Sequence, residues 1–359
     1  MKEVCNTDFL HSKQPHVLRW NEYILFFGEK YCDPNHVQIL HNGKWQCKKT
    51  SGIKFFGEFR SNESRKVIDV CLITAQVVWD KMYVFTHSET PLSDVILVLD
   101  LPSWTWAEII PKGNAPIICN RGTMWVHGNK IYSFGGHWRG DLSMTNTLGY
   151  HTGLHESLNI RDFNRTNQLF CYDTSTNTFE WPFNNSNLPS PRSGQSSFLH
   201  GNLVFIFGGK DAEWRVNNEL QILDLANMKW MKIHDNMIGD KMPHQRAYHS
   251  LTRISDGKAI LYGGCDADWN RIEDCWILHY ERAIKGQFTE PSALWSKVVP
   301  ARALNLRYYH DAIIEPNSGR LYIVGGRSTV MSTESTSKTL VLSFTPASLE
   351  FLAMESIVN

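Results

Sequence analysis

The sequence predicts an all-β protein, a propeller of six four-stranded blades with a short helix at its C-terminal end. Three observations carry this prediction. An apolar strand ending in a glycine pair recurs along the chain, a second apolar strand follows each copy, and a tryptophan-bearing strand completes most units. The strands are short, with period-2 or wholly apolar patterning, and no long segment repeats at 3.6 residues.

Taken in order, "YILFFGE" around Gly28 and "KMYVFTH" around Phe85 are degenerate copies of the glycine-pair strand. Intact copies are "KIYSFGG" ending at Gly136, "LVFIFGG" at Gly209, "AILYGG" at Gly264 and "RLYIVGG" at Gly326. The intact pairs lie 73, 55 and 62 residues apart, longer than the roughly 50 residues of the nearest known repeat period, so the units carry insertions. A strand entered through a polar turn precedes each copy, as in "SGQSSFLHG", "RAYHSLTRIS" and "YYHDAIIE". After the glycines come a polar loop and a further apolar strand: "VILVLDL", "QLFCYDT", "LQILDLA", "DCWILHY". The outer strands hold Trp45, Trp106, Trp181, Trp230 and Trp295, and the last four are expected at equivalent positions in successive blades. A sheet this apolar cannot bury both faces alone, and six packed radially form a propeller. The glycines allow close approach where a strand leaves the crowded axis. The sixth unit lacks a tryptophan strand after "TLVLSFT", so the N-terminal "KEVCNTDF" is expected to supply the outer strand that closes the ring. The propeller is expected over 1–346 and the helical tail over 347–359.

The 359 residues are 42% hydrophobic and 12% aromatic, enough for a large core. Lys plus Arg and Asp plus Glu are 36 each. This balance argues against a general binder of nucleic acid or membrane surfaces, which needs a basic excess. Any charge-reading site must be a local cluster. No apolar run reaches the length of a signal peptide or a membrane span, and the chain reads as soluble, cytoplasmic or nuclear. The eight cysteines are scattered, never C-x-x-C, and read as buried reduced thiols. The sequons at Asn62, Asn164 and Asn184 carry no weight without a secretory route.

The glycine pair, the aspartate after the next apolar strand and the following tryptophan resemble the kelch family across nearly the whole chain. The tail "SFTPASLEFLAMESIVN" narrows the resemblance. Leu349, Ala353 and Ile357 fit the pattern of a BC-box, with Ala353 in place of its usual cysteine, and fall on one side of a helix. An amphipathic helix closing the propeller fits the same pattern. Propeller and tail together resemble the kelch substrate receptors of cullin-RING ubiquitin ligases, which read a C-terminal degron. This implies partners: elongin C with elongin B, a cullin scaffold, and the C-terminal peptides of substrates. The family's cullin-binding segment is not found up to Asn359, so the sequence is expected either to be part of a longer chain or to lack that function.

The resemblance also places a site. "FIFGGKDAEWR" supplies Lys210 and Arg215 where the family has two carboxylate-binding arginines, and Arg121 matches a family lysine in charge. Tyr248 stands at a family tryptophan, Ala247 replaces its serine, His137 replaces a tyrosine, and Arg165 stands at an aromatic that packs on the degron. Arg246 and Arg307 lie in turns facing the same end, either for the peptide or as structural arginines tying turns together. Arg215 is expected to hold a terminal carboxylate unless a rim salt bridge to Asp211 or Glu213 occupies it. The departures concentrate on the binding face, as expected of a pocket retuned for another C-terminal sequence.

Three classes stay open: a peptide-reading ligase receptor, a non-catalytic kelch scaffold for a folded partner, and an enzyme. No metal or cofactor is expected. The 15 histidines show no H-x-H or H-E-x-x-H spacing, and His249 and His310 recur at one place in their repeats, as structural residues do. No catalytic triad, phosphate loop or carboxylate pair stands out, and the chain reads as a binding protein.

Overall fold

The computed structural model describes residues 16–27, 36–52, 73–86, 95–116, 119–138, 164–182, 188–232, 242–272, 274–280, 295–298, 307–315, 318–327, 339–344 and 351–352. They form a six-bladed propeller of four-stranded antiparallel sheets. Blade one runs His16–Trp20, Tyr23–Phe27, His36–His41, Lys44–Lys49, and blade two Ile73–Val78, Lys81–Thr86, Ile96–Asp100, Thr105–Ile109. Blade three is Thr123–His127, Lys130–Phe134, Leu169–Asp173, Thr178–Glu180, and blade four Ser196–His200, Leu203–Phe207, Leu220–Asp224, Lys229–Lys232. Blade five is Ser250–Ser255, Lys258–Tyr262, Cys275–His279, Trp295–Lys297, and blade six Tyr308–Ile314, Leu321–Arg327, Leu340–Phe344, Phe351–Leu352. Blade three carries a further small sheet, with His137–Trp138 paired to Asn164–Arg165 at the two ends of its insertion. No helix among the described residues is long and apolar enough to cross a membrane.

The middle strands are apolar on both faces because each face meets a neighbouring blade. In blade four, Val204 and Ile206 pack with Phe134 and Leu223 toward blade three, while Phe205 and Phe207 pack with Leu251 and Leu261 toward blade five. Five such cores join successive blades. A sixth, with Val17, Ile24 and Phe26 against Tyr322, Val324 and Val341, closes the ring from blade six to blade one. At that seam the Val17 N–H donates to Asp311 Oδ2 at 2.8 Å. The inner strands surround a channel of about 710 Å³.

Two expectations about the outer strands are corrected. The fourth strand of blade six is Phe351–Leu352, paired with Ser343 and Phe344. This strand comes from the C-terminal side, and "KEVCNTDF", residues 2–9, expected to close the ring, lies outside the described residues. The same pairing is strand where the tail was expected to be helical. Leu349, Ala353 and Ile357 lie outside the described residues. Secondly, Trp106 pairs with Leu99, Trp230 with Leu223 and Trp295 with Leu278, but in blade three the equivalent partner of Tyr172 is Phe179. Phe179 fills the buried position, and Trp181, two residues on, is 37% exposed with its Nε1 donating to the Asn114 carbonyl. Both rings are aromatic and two residues apart, but Phe179 lies within the strand Thr178–Glu180 whereas Trp181 falls just beyond its end.

Candidate functional site

At one end of the channel the glycine pairs of blades three, four and five meet the turn that starts the next blade. The Gly264 N–H donates to the Arg307 carbonyl at 3.0 Å, and the Gly209 N–H to that of Arg246 at 2.9 Å. Gly263 has φ +64°, and a Cβ there would lie 2.3 Å from the Arg307 oxygen, so only glycine admits this approach. The arginine side chains turn back into their own blades. Arg192 Nη1 donates to Gly208 O, Arg246 Nη1 to Gly263 O and Arg307 Nη1 to Gly325 O. Arg246 also meets Asp274 at 2.6 Å and Arg192 meets Glu219 at 2.7 Å. Arg246 and Arg307 thus sit fully buried in the wall, where they staple neighbouring blades.

The residues after these turns define the mouth. Arg121, Gly194, Tyr248 and Tyr309 occupy one position in four successive blades, and all four adopt left-handed backbone, with φ of 60°, 73°, 59° and 60°. Such conformations cost bulky residues free energy and concentrate at functional sites. They turn Arg121, Tyr248 and Tyr309 into the channel end, where the Arg121 guanidinium lies 4.9 Å from the Tyr248 ring and 4.4 Å from that of Tyr309. Arg121 Nη1 donates to the Tyr309 hydroxyl at 2.5 Å.

Two matching loops stand over this floor. "KDAEWR" and "CDADWN" each begin with a residue bridged across the loop, Lys210 to Val216 and Cys265 to Arg271. In both, an aspartate accepts backbone N–H bonds within the loop, Asp211 from Arg215 and Asp266 from Asp268 and Asn270. Each loop raises a tryptophan with φ 65°, Trp214 and Trp269. Trp269 stacks on Tyr248, with centroids 5.3 Å apart. Lys210 Nζ lies 4.1 Å from the Trp269 ring and 5.6 Å from that of Trp214, and the Arg165 guanidinium lies 4.2 Å from Trp214. Strand pairing with His137 brings Arg165 here from beyond the insertion, and its Nε donates to Ser193 Oγ at 3.0 Å.

The site is thus a cationic, aromatic-walled cluster. Lys210 is 1% and Arg165 2% exposed. Burial depresses the pKa of both, and for Lys210 the nearby Arg165 and Arg121 depress it further. Among the described residues, no carboxylate lies within ion-pair distance of Arg121, Arg165 or Lys210, and Arg165 Nη1 has no hydrogen-bond partner. Buried cations without carboxylate partners suit an anionic ligand. No group of three His, Cys, Asp or Glu among the described residues could hold a metal.

A family model described as the KLHDC2/KLHL20/DRC7 Kelch-repeats domain matches residues 157–348. The chain belongs to this kelch family. It is similar to Kelch domain-containing protein 2 of Bos taurus, 26% identical over 70% of this chain and 60% of that protein. It is also similar to Kelch domain-containing protein 1 of Mus musculus, 30% identical over 49% of this chain and 43% of the other. The chain therefore spans less than two thirds of the curated relatives it matches. A solved structure titled "Structure of YjhT" superposes with a TM-score of 0.62 at 14% identity, covering 92% of this chain and 94% of that one, which shows the fold alone.

The kelch propeller brings Arg121, His137, Arg165, Lys210, Ala247 and Tyr248 to one mouth. There the His137 backbone bridges Asn120 and the Ala247 backbone bridges Cys265. Arg215 stands apart on the rim, its side chain 73% exposed and held by Asp211 and Glu213 at 2.9 Å each. Trp214, Trp269 and Tyr309 went unread in the sequence. The tryptophans lie 55 residues apart, the separation of Gly209 and Gly264, in a D-A-x-W motif whose recurrence was the available signal. Recurrent His249 and His310 are buried inside the blades, with His310 Nε2 2.9 Å from Ser250 Oγ.

Proposed function

We propose that this propeller is a non-catalytic peptide receptor that reads the C-terminal carboxylate of other proteins as the substrate-recognition part of a cullin-RING ubiquitin ligase. The observation that carries the reading is the cluster of Arg121, Arg165 and Lys210, buried or half-buried against Tyr248, Tyr309, Trp214 and Trp269 without a carboxylate partner among the described residues. Capture of a terminal carboxylate is an established peptide-recognition mode that separates a free chain end from internal sequence. Membership in the kelch family and similarity to Kelch domain-containing proteins 1 and 2 support a binding role. Docking to elongin C through Leu349, Ala353 and Ile357 belongs to the same proposal, and requires the 351–352 strand to leave blade six and become helical.

The test is binding of peptide pools with randomised C-termini, free acid against amide. Amidation is expected to weaken binding at least tenfold, and equal binding overturns the carboxylate reading. Elongin capture by the chain, abolished by Leu349→Asp, tests the ligase assignment. A scaffold for a folded partner is the second reading, favoured by the exposed Trp79 and Ile110, each 76% exposed.

A further inference from the structure

The mouth holds more positive charge than one carboxylate offsets. Arg121, Arg165 and Lys210 come from blades three and four and meet around Tyr248, Trp214 and Trp269. Gathering like charges away from water is costly, and the cost is recovered only through counter-charges in good geometry. The nearest carboxylates, Asp211 and Asp266, lie beyond ion-pair distance and act on Arg165 and Lys210 only at longer range. Asp211 holds Arg215 Nε and the Arg215 N–H, and Asp266 holds the Asp268 and Asn270 N–H groups and Asn270 Nδ2. Arg165 faces the Trp214 ring, whereas Lys210 faces the Trp269 ring and donates to the Ala267 carbonyl at 3.4 Å, and such neutral partners substitute weakly for an anion. The Trp214 ring is 39% exposed, so a ligand entering the mouth reaches Arg165 beside it.

Resting on the carboxylate reading above, we infer that the preferred ligand is a chain end with two negative charges, the α-carboxylate and an acidic side chain on the last residue. Two carboxylates on one residue match three cations packed around one set of rings. The planar guanidiniums of Arg121 and Arg165 bind carboxylates bidentately, and Lys210 serves both as a point charge. A chain ending in a neutral residue leaves one guanidinium facing only an aromatic ring.

The experiment compares four fluorescent decapeptide pools, randomised upstream and ending in Asp acid, Asn acid, Asp amide or Asn amide. Asp acid is expected to bind tightest, and Asn acid about tenfold to a hundredfold more weakly, as for loss of a charge-assisted hydrogen bond. Equal binding of Asp acid and Asn acid, both weakened by amidation, overturns this inference and leaves the carboxylate reading standing. Equal binding of acids and amides, or no binding by any pool, overturns both. Arg165→Gln should remove the Asp-over-Asn preference while keeping that of acid over amide. If that variant melts early, the four pools on the unsubstituted protein still decide. Free succinate displacing the Asp-acid pool at the concentration where the pool itself half-saturates would assign the mouth to a small dicarboxylate and overturn the peptide.

Discussion

The Tyr248 ring lies against the backbone of Gly194. The Tyr248 N–H donates to the Gly194 carbonyl at 2.7 Å, and a Cβ on Gly194 would sit 2.5 Å from Tyr248 Cε1. Gly194 is the one glycine among the four left-handed positions of the mouth, where Arg121, Tyr248 and Tyr309 fill the others. An alanine there must push the tyrosine off its seat against Trp269 and Arg121. Gly194→Ala is therefore expected to weaken peptide binding about tenfold while shifting the melting temperature by only a few degrees, as for a local strain of about 1–2 kcal/mol. Unchanged peptide affinity would show that Tyr248 is not a contact.

The cations should rank by burial. Arg121→Gln and Lys210→Met each remove a desolvated charge and are expected to weaken free-acid peptides by about tenfold to a hundredfold. Arg215→Ala removes a rim cation already held by Asp211 and Glu213, and should change affinity by less than about fivefold. A titration series with one peptide pool checks the order, and a larger effect of Arg215 would return it to the site.

Affinity should also fall on the alkaline side. Burial, with Arg165 and Arg121 nearby, holds the Lys210 ammonium below the usual lysine value, so it deprotonates earlier than a free lysine. Only the protonated form attracts an anion, so binding is full below that pKa and weakens as pH rises through it. Lys210→Met should flatten this limb in a binding-against-pH series.

The staple arginines govern stability. Arg246→Met leaves Asp274, 7% exposed, without its ion pair and removes a donor from Gly263 O. Breaking a buried pair from one side costs about 3–5 kcal/mol, readable by urea unfolding. A loss below about 1 kcal/mol would mean that the pair contributes little.

Acid should destabilise the propeller through its buried histidines. Burial, and then Arg307, lowers the His310 pKa from 6.5 to about 3, and His249 moves in the same direction. The unfolded chain takes up the proton near pH 6.5 and the folded one only near 3, so stability falls as pH drops through that window. His310→Gln, which can still reach Ser250, should show a shallower fall between pH 6.5 and 3 in denaturant titrations.

Blade number and strand order were legible in the sequence because each unit repeats its own signal. Period-2 apolar strands, glycine pairs and outer aromatics are local features, each set by what one blade needs to pack against the next. Lys210, Arg121 and Tyr248 were legible as candidate positions through the resemblance to the kelch receptors, residue by residue along the repeat. What only the tertiary structure decided is how those positions are used. Arg246 and Arg307 occupy the repeat position expected of mouth residues, yet their guanidiniums turn inward to carbonyls that the fold leaves in need of donors. Arg215 turns to two carboxylates of its own loop. Arg165 reaches the mouth only because the far end of a long insertion pairs with His137, and Phe351–Leu352 takes the edge of blade six because hydrogen-bonding geometry admits one strand there. Repeat periodicity specifies where a residue stands on the ring, whereas the direction of its side chain depends on partners far away in sequence.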